Sequence, residues 1–240
     1  MTDKNKKQEA GLFLDFLKEE GIEEIWLNPS QKKNPVTKVQ PVPELTRSGS
    51  SKEELLQLRD NALKCTLCSE LASTRKNVVF GAGNIKAQLM FIGEAPGHDE
   101  DEQGLPFVGR AGQLLTKIIE SIGLKREDVF IANTLKCRPP GNRPPQPGEI
   151  SNCNPFLLRQ IELISPKIIC ALGTFAAQTL LNSDNTISAL RGRFYNYSPL
   201  ASVKIICTYH PAYLLRSPGE KRKVWEDMKM IKRELVPPDI

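Results

Sequence analysis

A short apolar segment that ends in a glycine- and proline-rich turn constrains this chain more than any other feature. Leu89–Gly93 is apolar throughout, and the turn Gly93–Gly97 closes it. Apolar segments of this length, bounded by turn residues, are typical of strands buried on both faces of a parallel sheet. Ligands of such sheets bind at the carboxyl ends of the strands. The turn after Gly93 is therefore the first candidate for a functional site.

Carboxylates are concentrated in and directly after this turn, and no basic residue separates them. They are Glu94, Asp99, Glu100, Asp101 and Glu102. Like charges at this density repel one another, so we interpret the acids as part of a binding site rather than of a solvated loop. An isolated aromatic residue, Phe107, follows in a setting rich in glycine and proline.

The rest of the chain predicts the sheet to which this strand belongs. Three more apolar segments follow, at Val129–Asn133, Lys167–Gly173 and Val203–His210. Helical patterns cover Leu114–Ile122, Phe156–Ile164, Thr174–Leu181 and Lys221–Leu235. This alternation predicts an α/β fold with a four-stranded parallel sheet and helices on both faces. The strand ends would bring Glu94, Asn133, Gly173 and His210 to one edge of the sheet.

The first 50 residues differ from the remainder. Residues 8–20 have apolar side chains at a helical period, and residues 28–50 are rich in Pro, Ser, Asn and Lys. We therefore expect residues 1–50 to form an N-terminal helix and a flexible linker, and residues 51–240 to form the main domain.

Composition indicates a globular protein outside membranes. Apolar residues make up 40% of the chain and charged residues 25%, and no apolar run approaches the roughly 20 residues of a membrane span. Together with the polar N-terminus, this leads us to expect a monomeric, cytoplasmic protein with no membrane contact.

The net charge of +5 is unevenly distributed. Residues 1–50 carry eight bases and eight acids, so the excess lies in residues 51–240. Between Thr186 and Lys223 only Glu220 is acidic, whereas the bases are Arg191, Arg193, Lys204, Arg216, Lys221, Arg222 and Lys223. A segment of one sign indicates contact with a polyanion, and a solvated basic face is the alternative.

Four of the six cysteines lie outside the apolar segments, at Cys65, Cys68, Cys137 and Cys153. Disulfides are rare in a reducing compartment, so this pattern indicates a metal site. Four thiolates suit zinc and an iron–sulfur cluster equally well, although the second pair lacks the C-x-x-C spacing of a zinc ribbon. A cluster here would be structural, because nothing in the sequence indicates an electron acceptor.

Several motifs together resemble the family 4 uracil-DNA glycosylases, the iron–sulfur branch of that superfamily. They are Gly93–Gly97, Phe107–Gly109, Asn133 with Cys137–Pro140, and His210–Arg216. The resemblance covers about residues 51–235 and includes the four cysteines. It implies the three-layer fold of this superfamily, a structural 4Fe–4S cluster on Cys65, Cys68, Cys137 and Cys153, and removal of uracil from single- or double-stranded DNA by hydrolysis of the N-glycosidic bond.

The resemblance also implies roles for individual residues. Catalysis would involve His210 and Asn133. Among the residues themselves, Glu94 is the nearest carboxylate that could hold the water or stabilise the sugar cation. The uracil pocket would contain Gly93, Glu94, Ala95, Glu100, Phe107, Asn133 and His210. Within it, Phe107 would stack on the base, Asn133 would read its polar edge, and Glu100 would occupy the space beside C5 that a thymine methyl needs. His210 would donate to the uracil oxygen on which negative charge develops.

Contacts with DNA are expected from the segment that follows His210. Together with the basic residues, the resemblance implies contacts by Pro211, Leu214, Arg216, Lys221, Arg222 and Lys223, with Leu214 entering the base stack. The alternative function is a non-catalytic nucleic-acid-binding module stabilised by a metal. That alternative accounts for the basic segment and the cysteines, but it leaves the clustered acids unexplained.

Overall fold

The computed structural model describes residues 51–235, and the predicted N-terminal helix and linker lie outside the described residues. The first helices are α1 (Ser51–Leu63) and α2 (Ser69–Thr74). They are followed by β1 (Ala82–Gly83), β2 (Leu89–Gly93), α3 (His98–Gln103), α4 (Arg110–Ser121) and β3 (Phe130–Asn133). The second half contains α5 (Pro147–Ile164), β4 (Ile168–Leu172), α6 (Thr174–Leu181), α7 (Ile187–Leu190), β5 (Phe194–Asn196), β6 (Lys204–Thr208), α8 (Pro211–Arg216) and α9 (Lys221–Leu235). Short 3₁₀ turns occur at Arg126–Asp128, Pro140–Asn142 and Pro218–Glu220.

The predicted parallel sheet is confirmed, and two short strands extend it. The strand order is β1-β3-β2-β4-β6-β5. The four predicted strands, β2, β3, β4 and β6, are all parallel, whereas β1 and β5 pair antiparallel at the two edges. The sheet is therefore mixed rather than purely parallel. The edge strands have two and three residues, and such short segments carry no recognisable apolar alternation.

Helices cover both faces of the sheet because side chains of the buried strands alternate between them. Met90 and Ile92 of β2 point into one apolar layer, which α1, α5 and α6 complete. Leu89 and Phe91 point into the opposite layer, which α4, α8 and α9 complete. The result is a three-layer α/β domain with two apolar cores, as expected for the superfamily that the sequence resembles.

Helix α5 begins nine residues earlier than the helical pattern at Phe156 predicts. Pro147 occupies its first turn, and the backbone amide of Gln146 donates to the Glu149 carboxylate (2.8 Å). Proline and an acid in the first turn favour this start. The early turns are polar, so they show no apolar stripe, and they place Cys153 on a helix rather than in a loop.

Helix α4 passes so close to Phe107 that only glycine fits at its third residue. A Cβ on Gly112 would overlap the carbonyl group of Phe107. Phe107 itself has a φ of 51°, a left-handed conformation that non-glycine residues rarely adopt. This contact therefore fixes where the aromatic ring stands.

We predict that Gly112→Ala destabilises the domain by about 1–3 kcal/mol, the usual cost of overpacking. It should also reduce activity, because Phe107 must move. Gly148→Ala is the matched control, since it also lies in a helix and a Cβ there meets nothing within 4 Å. Urea denaturation measures both variants, and equal stabilities would contradict the packing argument.

Candidate active site

The carboxyl ends of three parallel strands, β2, β3 and β6, open into a cavity of about 450 Å³. Strand β2 delivers the turn at Glu94, β3 ends at Asn133, and β6 leads to His210. The lining residues are Glu94, Ala95, Pro96, Gly97, Glu100, Phe107, Ala111, Asn133, Pro139, Asn142, Arg143, His210, Ala212, Tyr213 and Arg216. Glu94, Asn133 and His210 therefore meet at this edge of the sheet, whereas Gly173, at the end of β4, lines a neighbouring cavity.

Phe107 and Asn133 line the cavity and pack closely around Gly93 at the end of β2. A Cβ on Gly93 would overlap Asn133 Oδ1 and lie 2.6 Å from Phe107 Cζ. Asn133 is 2% exposed, and no residue in the described part of the chain donates a hydrogen bond to its Oδ1. A buried amide oxygen without a donor is costly in a folded protein. Its position beside the cavity suits an acceptor that is kept for a ligand.

The protonation state of His210 follows from its place at the start of α8. Its Nδ1 accepts a hydrogen bond from the backbone N–H of Ala212 (3.1 Å), so Nδ1 carries no proton. Burial lowers the pKa of His210 to about 4, and the positive charge of Arg216 acts in the same direction. The imidazole is therefore neutral at pH 7, and its single proton is on Nε2. Its ring centroid is 5.5 Å from that of Phe107.

Glu94 lies at the boundary of two neighbouring cavities. Glu94, His210 and Tyr213 line both the main cavity and a second cavity of about 370 Å³. Burial raises the pKa of Glu94 above its ordinary value. The next residue, Ala95, lines the main cavity and offers no polar side chain there.

Glu100 holds the two loops that form one wall of the cavity. Its Oε1 accepts from the backbone amides of Val108 (2.8 Å) and Gly109 (3.0 Å), and its Oε2 accepts from the amide of Gly97 (3.1 Å). The carboxylate thus connects the turn after β2 with the segment that carries Phe107. Glu100 also lines the cavity, so it contributes to both the shape and the rigidity of this wall.

Two other acids of the cluster build the loop rather than the pocket. Asp101 is 2% exposed and accepts from the backbone amides of Lys76 (3.0 Å) and Asn77 (3.2 Å). Glu102 forms an ion pair with Lys76 (2.5 Å). The sequence interpretation that clustered acids serve only a binding site is therefore wrong for these two. Their repulsion is offset by backbone donors and a lysine that lie some 25 residues earlier.

The structure corrects three of the predicted DNA contacts. Leu214 is 0% exposed and packs within the apolar layer under α8, so it cannot enter a base stack from this position. Pro211 is buried at the start of the same helix, and Lys221 is 3% exposed. Because α8 has only six residues, its apolar pattern does not reveal which side chains face the core.

The other predicted contacts are more accessible, and the structure adds a residue that the sequence interpretation missed. Arg216 and Arg222 are exposed, and Arg216 lines the cavity. Lys223 forms an ion pair with Glu220 (2.6 Å). Tyr213, which precedes Leu214, is 37% exposed and borders both cavities. In the sequence, a tyrosine beside two leucines is indistinguishable from a core residue.

The basic segment between Thr186 and Lys223 is largely paired within the protein. Arg191 forms an ion pair with the buried Asp227 (2.9 Å), and Lys204 forms one with Glu234 (2.9 Å). Burial raises the pKa of Asp227 to about 6, although Thr208 and Arg191 donate to it. These two cations therefore stabilise the fold, whereas Arg193, Arg216 and Arg222 of the same segment are exposed.

The four predicted ligands, Cys65, Cys68, Cys137 and Cys153, line one small cavity. Several N–H groups point at their sulfur atoms: Arg75 at Cys137 (3.0 Å), the Lys136 backbone amide at Cys153 (3.2 Å), and Asn152 at Cys68 (3.6 Å). Such donors favour thiolates and sulfur-bound metal centres. Within residues 51–235, no group of three or more His, Cys, Asp or Glu side chains is arranged to hold a single metal ion.

The segment between Cys137 and Cys153 forms part of the cavity wall, which the sequence did not indicate. Pro139, Asn142 and Arg143 line the cavity. Arg143 donates to Glu149 (2.6 Å) and Glu70 (2.6 Å), and it holds the pKa of Glu149 below its usual range. The wall is therefore anchored to α2, which begins directly after Cys68, and to α5, which carries Cys153.

The fold and the cavity match a known class of proteins. The family model of the Uracil DNA glycosylase superfamily matches residues 80–229, a range that contains all six strands of the sheet described above. The three-layer domain and its site thus belong to a superfamily of DNA-repair glycosylases.

Individual relatives narrow this assignment. A type-4 uracil-DNA glycosylase of Archaeoglobus fulgidus is 46% identical over 184 residues, which cover 75% of this chain and 92% of the relative. The type-4 uracil-DNA glycosylase of Saccharolobus solfataricus is 47% identical, and the match covers 74% of this chain and 85% of the relative. That of Thermotoga maritima is 44% identical, and the match covers 76% of this chain and 95% of the relative. The chain belongs to the type-4 uracil-DNA glycosylases, which are hydrolases of DNA repair. This membership favours the enzyme over the non-catalytic module. No helix within residues 51–235 is long and apolar enough to span a bilayer.

The neutral state of His210 leads to a prediction about pH. With a pKa of about 4, His210 does not change protonation between about pH 5.5 and 8, although a free histidine titrates in that range. The ratio of single-turnover excision rates of the parent and His210→Ala should therefore be constant across this range. Taking the ratio cancels the titration of other groups.

A ratio that falls as the pH rises through about 6.5 would show that the charged imidazolium is required.

The lowered pKa of His210 also makes the stability of the folded domain depend on pH. Because the unfolded chain binds the proton more tightly, His210 makes the domain less stable as the pH falls from about 6.5 towards 4.

Proposed function

We propose that this glycosylase binds an extruded uracil between Phe107, Asn133 and His210, and that His210 stabilises the uracil anion as the glycosidic bond breaks. The substrate class is uracil-containing DNA. A base inside a duplex is inaccessible, so the uracil must leave the stack and enter the cavity. Its volume of about 450 Å³ lies within the usual range for small-ligand sites.

Binding combines stacking with edge recognition. The ring of Phe107, fixed by its contact with α4, offers a flat apolar surface, and stacking on such a surface stabilises a base by about 1–3 kcal/mol. Asn133 supplies a side-chain amide, which can accept from N3–H of uracil and donate to the neighbouring carbonyl oxygen. Support comes from the buried, unpartnered Oδ1 of Asn133.

Discrimination against thymine is attributed to the wall that Glu100 maintains. The carboxylate is held by three backbone amides, so this wall resists displacement by an extra methyl group. Rejection by a rigid wall is a steric form of specificity. We propose that Glu100 acts through this rigidity as well as through its own volume beside C5.

Bond breaking leaves negative charge on uracil, and His210 is placed to receive it. A neutral imidazole with its proton on Nε2 donates one hydrogen bond, and it cannot give up a proton as readily as imidazolium does. Such a donor, preorganised for a developing oxyanion, often contributes about 3 kcal/mol to the transition state. Glu94 is the nearby carboxylate that can orient water or stabilise the positive charge on the sugar, and Ala95 takes no part in this step.

We assign contacts with DNA phosphates to Arg216 and Arg222. Tyr213, rather than Leu214, would fill the gap that the extruded uracil leaves in the base stack. Tyr213 is exposed, borders the base cavity, and its ring lies 5.1 Å from that of Tyr209. Aromatic and apolar side chains that insert between bases support an extruded nucleotide in this way. Lys223 can contribute only by exchanging its partner Glu220 for a phosphate.

The four cysteines are proposed to hold a 4Fe–4S cluster, which supplies a structural crosslink. The N–H groups aimed at three of the sulfurs fit an anionic centre. The crosslink would fix the ends of the segment between Cys137 and Cys153, including the wall at Pro139 and Arg143.

The observation that carries the proposed mechanism is the hydrogen bond from Ala212 N–H to His210 Nδ1, because it leaves Nε2 as the donor. We predict that His210→Ala lowers the single-turnover rate of uracil excision by roughly 10²–10³-fold. Affinity for uracil DNA should fall much less, since Phe107 and Asn133 still bind the base. The assay is alkaline cleavage of the abasic product on a gel, with the cytosine-containing strand as a control. Equal losses of rate and affinity would contradict this role.

The Tyr213 assignment predicts a contrast between adjacent residues. Tyr213→Ala should reduce excision from duplex DNA more than from single strands, where no stack has to be opened, and should leave the melting temperature unchanged. Leu214→Ala should instead destabilise the domain by about 2–5 kcal/mol, as expected for a buried leucine. Tyr213→Phe should retain activity, because the ring is kept. If Leu214→Ala instead reduced excision from duplex DNA without loss of stability, Leu214 would be the residue that enters the base stack.

The cluster predicts the composition of the purified protein. It should be brown, absorb broadly near 400 nm and contain about four irons per chain. Cys137→Ala should lose this iron. Cys170→Ala should retain it, because Cys170 is buried in the sheet core away from the cysteine cavity. A colourless protein that contains one zinc would contradict the cluster.

A further inference from the structure

Lys136 is a buried lysine between the candidate base reader and the candidate metal site. It is 2% exposed and lies three residues after Asn133 and directly before Cys137. Its ammonium group donates to the backbone carbonyl of Asn133 (2.8 Å) and to Gln160 Oε1 (2.6 Å). Gln160 is fully buried and is held in turn by its bond to the carbonyl of Phe80 (2.8 Å). The ammonium position is therefore fixed from both sides.

Both of these acceptors are neutral, so the charge of Lys136 has no carboxylate to balance it. The ion pairs found within residues 51–235 do not include Lys136. Burying an ammonium group without an opposite charge is strongly unfavourable, even after the protein has relaxed around it. A neutral side chain of similar length would avoid this cost. The retained charge points to an anion nearby.

The cysteine cavity is the place where such an anion would be. The backbone amide of Lys136 donates to Cys153 Sγ (3.2 Å), and the next residue is Cys137. Both of these cysteines line the cavity together with Cys65 and Cys68. A metal centre held by four thiolates carries net negative charge, and opposite charges attract strongly in a poorly polarisable interior.

We infer that Lys136 is the internal counter-cation of the four-cysteine site and, through its bond to the Asn133 carbonyl, a positioning residue for the uracil reader. The inference rests on the proposed cluster. One ammonium group then serves two neighbours: its charge balances the metal centre, and its hydrogen bond fixes the end of β3. Filling the cysteine site would hold Lys136 in place and thereby hold Asn133 at the edge of the cavity.

Two substitutions change the charge balance in different ways: one deletes the ammonium group and the other places an opposite charge beside it. Lys136→Met deletes the ammonium group and keeps an unbranched side chain. Gln160→Glu retains Lys136 and its acceptor but places a carboxylate against the charge. Lys64→Met is the matched control, because it deletes the same charge at an exposed position one residue before Cys65. Water screens the charge of Lys64.

The measurements are iron content, the reduction potential of the cluster, the rate of iron loss to a chelator, and single-turnover uracil excision. Lys136→Met and Gln160→Glu should both shift the potential to more negative values, because an added electron loses a favourable neighbour. Lys136→Met should also lose iron about 10-fold faster and excise uracil about 10-fold more slowly, the usual scale for residues that support metal ligands. Lys64→Met should match the parent in all four measurements.

The outcomes separate this inference from the proposed cluster. If the parent protein contains no iron, both the proposed cluster and the role of Lys136 as its counter-cation are contradicted. A parent that contains iron, with unchanged potentials in both variants, would overturn the role of Lys136 alone. If Lys136→Met does not fold, Gln160→Glu decides by itself. A shift in Lys64→Met as large as in Gln160→Glu would also overturn the inference, since burial of the charge would then not matter.

Discussion

The close packing of Gly93, Phe107 and Asn133 at the end of the sheet is the constraint on which the site depends. Gly93 has no side chain, so the Asn133 amide and the Phe107 ring can meet across the strand end. Strands β2 and β3 are paired in register up to these two residues, Gly93 opposite Asn133. The sheet therefore fixes Asn133 beside Gly93, and the loop that carries Phe107 packs against the same glycine.

The remaining parts of the site support this contact from different directions. Glu100 joins the turn after β2 to the loop that carries Phe107, and the close packing of Gly112 in α4 fixes the backbone of Phe107. On the other side, the chain runs from Asn133 through Lys136 to Cys137, so Asn133 and the cysteine cavity are separated by only a few residues. A rigid support of this kind is what preorganised recognition requires.

The sequence was sufficient to predict the four parallel strands and the edge at which they converge, because each strand is a continuous apolar segment. It also pointed to Asn133 and His210, which end or follow such segments, and to the isolated Phe107, and all three line the cavity. It was insufficient where burial depends on long-range packing. Leu214 and Lys221 could be assigned to DNA from local pattern, whereas the helices that cover them are distant in sequence. Tyr213 and the wall around Arg143 were missed for the same reason, and so was the structural role of Asp101, whose donors lie at Lys76 and Asn77.

The central claim is that the unpartnered Asn133 Oδ1 accepts a hydrogen bond from N3–H of uracil. The most direct test compares excision of uracil and of N3-methyluracil, which lacks that hydrogen, by the parent and by Asn133→Ala. The parent should strongly prefer uracil, and Asn133→Ala should lose most of this preference, because the acceptor has gone and space for the methyl group has been created. An unchanged preference in Asn133→Ala would contradict the account, since the N3 position would then be read by another group.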